Sequence, residues 1–251
     1  MSRATFCIVL FLSRSAFGGI VVPNSLADVE GNSNNCFPFG FCQGNGTMRY
    51  QQVYASSQFS APILIGQLLF RPDANTGAAF SAVLPDIQIN MSTTSKAPDS
   101  LSTTFADNVG VDDSIVYARG ALALSSSFTG PVVGPKTFDI LISLTSPFLY
   151  NPGAGNLLLD VRNYQQVGTT QFDSHDVPTG VVSRMWSFDV NTATTGEGGT
   201  ATLGLVTEFS AVPEPSTVIL MTAATIPFWL MCRSRTRRFL CLRSLPLSLT
   251  R

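Results

Sequence analysis

Cys36 and Cys42, six positions apart in NNCFPFGFCQGNG, are the first residues whose type and spacing point to chemistry. Pro38 and Gly40 between them form a turn that brings the thiols within reach of a disulfide in an oxidising compartment. A structural zinc site needs four ligands, and His175 is the only histidine, so this pair assigns no metal. His175 itself lies in FDSHDVP, which holds the letters of a Ser-His-Asp triad in one short run. Triad members converge from separated segments, and no GxSxG elbow is present, so no catalytic residue is assigned. ADNVGVDDS offers Asp107, Asn108, Asp112 and Asp113 as oxygen ligands for calcium, but their spacing fits no EF-hand and the expected state is a solvated loop. Tyr50, Gln52 and Tyr54 share one face of a strand, as Tyr117 with Arg119 and Arg162 with Tyr164 do on others. Flat aromatic rings beside amides suit a sugar, so Tyr50, Gln52 and Tyr54 are the candidate glycan face.

The elements that must carry these residues are short β-rich runs between Asp28 and Ala211, separated by Gly, Pro, Asn, Ser and Thr clusters. They are Tyr50–Phe59, Ile63–Phe70, Asp86–Met91, Ile115–Leu124, Thr137–Leu144, Phe148–Tyr150, Asn156–Tyr164, Val181–Val190 and Ala201–Phe209. In TFDILISLT, Phe138, Ile140, Ile142 and Leu144 recur at period two, the spacing of a half-buried strand. Leu157, Leu159 and Val161 form the inward set of NLLLDVRNY, and Trp186, Phe188 and Val190 share a face that reads as core. The expected fold is all-β, a jelly-roll-like β-sandwich. Its 13 phenylalanines supply a core without help from a metal or cofactor.

Charge is distributed unevenly. Asp28–Ala211 holds 7 Lys and Arg against 15 Asp and Glu, whereas the two ends together hold 8 basic residues and one Glu. An acidic body with basic ends excludes nucleic acid as the expected partner. At the first end, Arg3 precedes the nine-residue apolar run Ala4–Leu12, too short to span a bilayer and of the length of a signal-peptide core. Ser25 and Ala27 occupy the −3 and −1 positions of a signal-peptidase site, so residues 1–27 are expected to be a cleaved leader and 28–211 the exported body.

At the second end VPEPST precedes fifteen uncharged residues, Val218–Cys232, followed at once by RSRTRR. Pro213 and Pro215 bar a helix interior, and Ser216 or Thr217 can cap a helix beginning after them. Seventeen residues from Ser216 to Cys232 give a single helix of about 26 Å, with Arg233, Arg235, Arg237 and Arg238 reaching the headgroups on the cytoplasmic side.

The order Pro-Glu-Pro, apolar helix, arginine cluster resembles the PEP-CTERM sorting signal of Gram-negative bacteria. The resemblance implies that Pro213, Glu214 and Pro215 are recognised by an exosortase-type enzyme. The arginines would then be the stop signal within 212–238, and 239–251 a cytoplasmic tail. Pro227 within the helix and the residues after Arg238 depart from the usual pattern. The body is also similar, through RYQQVYASSQF, FRPDANTG and GNLLLDVRN, to exported proteins that carry this signal. The expected protein is a non-enzymatic, structural or adhesive component of the cell envelope or extracellular matrix, anchored in the membrane or released from it. The alternative is an exopolysaccharide-binding module.

Overall fold

A computed structural model describes residues 19–42, 46–178 and 180–212. The apolar run Ala4–Leu12, the sorting motif, the apolar segment and the arginine cluster lie outside the described residues. The compact body that contains the sheets ends at Val212.

Among the described residues there are thirteen strands: β1 (Ile20–Val22), β2 (Ser33–Asn35), β3 (Met48–Tyr54), β4 (Ile63–Phe70), β5 (Phe80–Thr94), β6 (Ser114–Ser126), β7 (Ile140–Tyr150), β8 (Asn156–Asn163), β9 (Phe172–Asp176), β10 (Val182–Ser187), β11 (Glu197–Ala201), β12 (Leu203–Leu205) and β13 (Thr207–Ala211). They form three antiparallel sheets, ordered β1-β13-β4-β7, β11-β10-β3-β8-β5-β6 and β12-β9-β2. The all-β expectation holds.

The main core collects Ile65, Leu68, Ile140, Ile142 and Phe209 from the four-stranded sheet and Tyr54, Ile89, Leu157, Leu159 and Val161 from the six-stranded one. Period two explains this, since alternate residues of β7 and β8 point the same way. The opposite face of β8 is covered as well: Leu158 joins Val53, Leu101, Phe105 and Met185 in a second cluster. Trp186 is only partly buried against the main core, whereas its neighbour Met185 is fully buried in the second.

The stretch 1–27 contains β1, which pairs with β13 through Ile20↔Phe209, Val21↔Glu208 and Val22↔Thr207. Val22 is fully buried and Leu26 is 8% exposed, so burial of apolar side chains ties this stretch to the body. Among the described residues, the sheets thus include the chain from Ile20 onward.

Candidate functional site

The expected glycan face is the inside of the protein. Tyr50, Gln52 and Tyr54 do share one face of β3, but all three have no exposed surface, so none can meet a sugar. Their polar atoms are spent internally. The Tyr50 hydroxyl donates to Gln52 Oε1 at 2.5 Å, and Gln52 pairs with the β12 backbone, donating to the Leu205 carbonyl at 2.9 Å and accepting its N–H at 2.8 Å. Tyr54 shares a 2.9 Å hydrogen bond with Thr207 Oγ1, and its ring meets Phe209 edge-on at 4.9 Å. Burial pushes both phenols above their ordinary range, so they stay neutral. Of the other aromatic and basic pairs, the fold brings Arg119 and Tyr164 together: the guanidinium lies 3.5 Å from the ring centroid and clasps Asp86 through two hydrogen bonds.

A concave surface with ligand-binding chemistry forms one strand away, where β10 runs beside β3. Arg184 is 9% exposed, and its guanidinium sits 4.6 Å from the Trp186 ring and 5.4 Å from Phe37. It also donates to the Tyr50 hydroxyl, while its Nε and Nη1 have no acceptor among the described residues. Burial lowers its pKa, the sign of a cation stripped of water. Phe188 packs edge-on against Phe37 at 5.6 Å, and Asn34, Gln171 and Glu197 complete the lining of a cleft of about 400 Å³. That volume lies within the range of about 300–1,000 Å³ usual for small-ligand sites. The cleft can offer stacking, amide hydrogen bonds, a cation and, in Glu197 on the opposite strand β11, an acceptor for hydroxyls.

The Cys36–Cys42 disulfide frames the same cleft, with Cα atoms 6.2 Å apart. Closing so short a loop stabilises the fold by about 2 kcal/mol in the chain-entropy account, so it chiefly holds Phe37 in place under Arg184.

A second charged cluster was not apparent in the sequence. Arg71, 1% exposed at the end of β4, donates through Nε to Asp173 Oδ2 at 2.7 Å. Its Nη2 reaches the Leu26 carbonyl at 2.9 Å and the Val29 carbonyl at 2.6 Å. Glu30, Asp73 and Asp173 each bring a carboxylate oxygen into one group spanning no more than 4.8 Å. Such a group has the donor set of a hard cation, but Arg71 already supplies positive charge there, and Asp73 is engaged in its own turn with Thr76. Burial pushes the Asp173 carboxyl up to about 7, against the pull of Arg71, and raises Glu30 as well. The single sequence clue was an arginine following the apolar run ILIGQLLF, a place where a solvated charge would not be expected.

The remaining candidates are dispersed. His175 and Ser174 are successive residues of β9 and so point to opposite faces, while Asp173 is engaged with Arg71. Asp112 accepts the Thr93 N–H at 2.6 Å, Asp113 accepts from Asn90 at 3.0 Å and Asp107 accepts from Ser102 at 2.9 Å. Asn108 is fully buried and donates to Gln51. These acidic side chains clamp their loop separately. Comparison with protein-family models, with curated proteins and with solved structures finds no match.

Proposed function

We propose that this chain is an exported component of a Gram-negative-type cell envelope or extracellular matrix, sorted by a PEP-CTERM-like tail and serving a structural or adhesive role. One observation carries the reading. Among the described residues the last strand, β13, ends at Ala211 and the compact body at Val212, so the motif Pro213-Glu214-Pro215 follows directly on the folded body in sequence, where a sorting enzyme would read it. The disulfide agrees with passage through an oxidising compartment. The order β3-β8-β5-β6 beside β4-β7 interleaves strands from distant parts of the chain and supports a jelly-roll-like sandwich. Its partners are an exosortase-type enzyme and the membrane, not nucleic acid. The test is to express the full chain in hosts with and without an exosortase. With the enzyme, mass spectrometry of the envelope and medium fractions should find a C-terminus within the tail. An identical intact C-terminus in both hosts would defeat the sorting assignment.

The Arg184 cleft favours a second reading, binding of an acidic exopolysaccharide. The partly buried rings of Trp186 and Phe188 suit the apolar side of a sugar ring, the positive charge of Arg184 behind them suits a carboxylate-bearing chain, and Glu197 and the amides suit its hydroxyls. Wild-type protein should be retarded in gels containing alginate but not dextran, and Trp186→Ala should lose at least tenfold in affinity with its circular dichroism unchanged. Equal mobility of the wild type in both gels would eliminate this reading.

A further inference from the structure

We propose that the exported chain is cut between Gly18 and Gly19, and that the α-ammonium so freed pairs with the Glu208 carboxylate to seat β1 at the edge of the sheet. This rests on the export reading above and adds the processing site.

The argument starts from what a cut after Ala27 would remove. It would take away β1, leave β13 as an exposed edge and strip from Arg71 two of its backbone acceptors, Leu26 at 2.9 Å and Ala27 at 3.3 Å. A buried guanidinium left short of acceptors is strongly unfavourable, so a protein matured at Asp28 would lose much of its stability on processing. The cut must therefore precede Ile20. Ala16 and Gly18 are the small residues at −3 and −1 that signal peptidases require, and six residues, Ser13–Gly18, separate the cut from the end of the apolar run at Leu12.

The new terminus meets a prepared partner. Glu208 on β13 is partly buried, and its carboxylate accepts the Gly19 N–H. Among the described residues Glu208 is in no salt bridge. A Cβ on residue 19 would overlap the Glu208 side chain as it stands, so glycine lets the terminus approach the carboxylate without displacing it. Hydrolysis consumes one water: the Gly18–Gly19 C–N bond breaks, the water oxygen joins Gly18, which leaves as a carboxylate on the leader, and both water protons end on the Gly19 nitrogen to give the ammonium. The hydrogen bond to Glu208 then becomes an ion pair.

The test uses the full chain, expressed in a Gram-negative host, with the exported protein recovered for N-terminal sequencing and intact mass. The expected sequence begins Gly-Ile-Val-Val-Pro. A start at Asp28 would overturn the inference while leaving export standing; a cytosolic protein with its leader attached would overturn both. Gly18→Leu should leave the precursor membrane-bound, and normal maturation of that variant would also count against the site. For the pairing, the Gly19 amine should titrate about one unit above the ordinary α-amino range of about 7.7–8.0 in the mature protein and return to it in Glu208→Gln. The same titration in both would overturn the pairing.

Discussion

Replacing Arg71 with methionine is expected to lower the unfolding free energy by about 3–5 kcal/mol at pH 8, because it leaves a buried carboxylate without its counter-charge. The loss should shrink as pH falls. Asp173 has a folded pKa of about 7 against an ordinary 3.8, so its protonated form is the one the fold favours. A carboxyl raised in this way contributes stability that is fully present below about pH 4 and lost as pH rises through about 7. Glu30 is shifted in the same direction and adds to the effect. Without Arg71 both groups are pushed further up. At pH 5 the variant's carboxyls hold protons, fewer charges are left uncompensated, and the cost of the substitution falls. Urea denaturation of the two proteins at pH 8 and pH 5 measures this directly. A loss below about 1 kcal/mol at both values would show that the cluster does not anchor the segment carrying Leu26 and Val29.

The second large effect concerns Tyr54. Truncation to alanine should cost about 3–5 kcal/mol, the usual range for deleting a buried aromatic ring. At roughly 2–4 °C per kcal/mol for a domain of this size, the melting temperature should drop by about 10 °C. Tyr54→Phe keeps the ring against Phe209 and loses only the bond to Thr207, so it should cost about 1 kcal/mol. The contrast separates packing from the hydroxyl. Loss of glycan binding in Tyr54→Ala would therefore report an unfolded core, not a removed contact. A Tyr54→Ala protein that melts with the wild type would place the side chain outside the core.

The strands were legible in the sequence where one pattern dominated. Ile63–Phe70 was read to the residue because an apolar run is bounded by Pro62 and by Arg71-Pro72. The separate runs Thr137–Leu144 and Phe148–Tyr150 turn out to be one strand, β7, because Pro147 does not interrupt it. Strands β2, with the sequence SNN, and β11, with EGGTA, carry no apolar pattern and form because their neighbours supply ladder partners. The single run Ala201–Phe209 instead serves three sheets, contributing the end of β11, all of β12 and most of β13.

The site residues divide the same way. Spacing alone paired Cys36 with Cys42, since a six-residue separation around Pro38 and Gly40 is a local matter. It also put Tyr50, Gln52 and Tyr54 on one face, because alternation is a property of any strand. Which face looks inward was decided by tertiary structure. Both faces of β3 are covered, Gln51 being as buried as Gln52, so polarity along MRYQQVY gave no signal of direction. Arg71 with Asp173, and Arg184 with Phe37, are brought together across more than a hundred residues by sheet pairing. The chain's local chemistry thus determined turns, alternation and the acidic charge of the body. Long-range packing decided which polar groups left water, because only a packed neighbour can replace the solvent they give up.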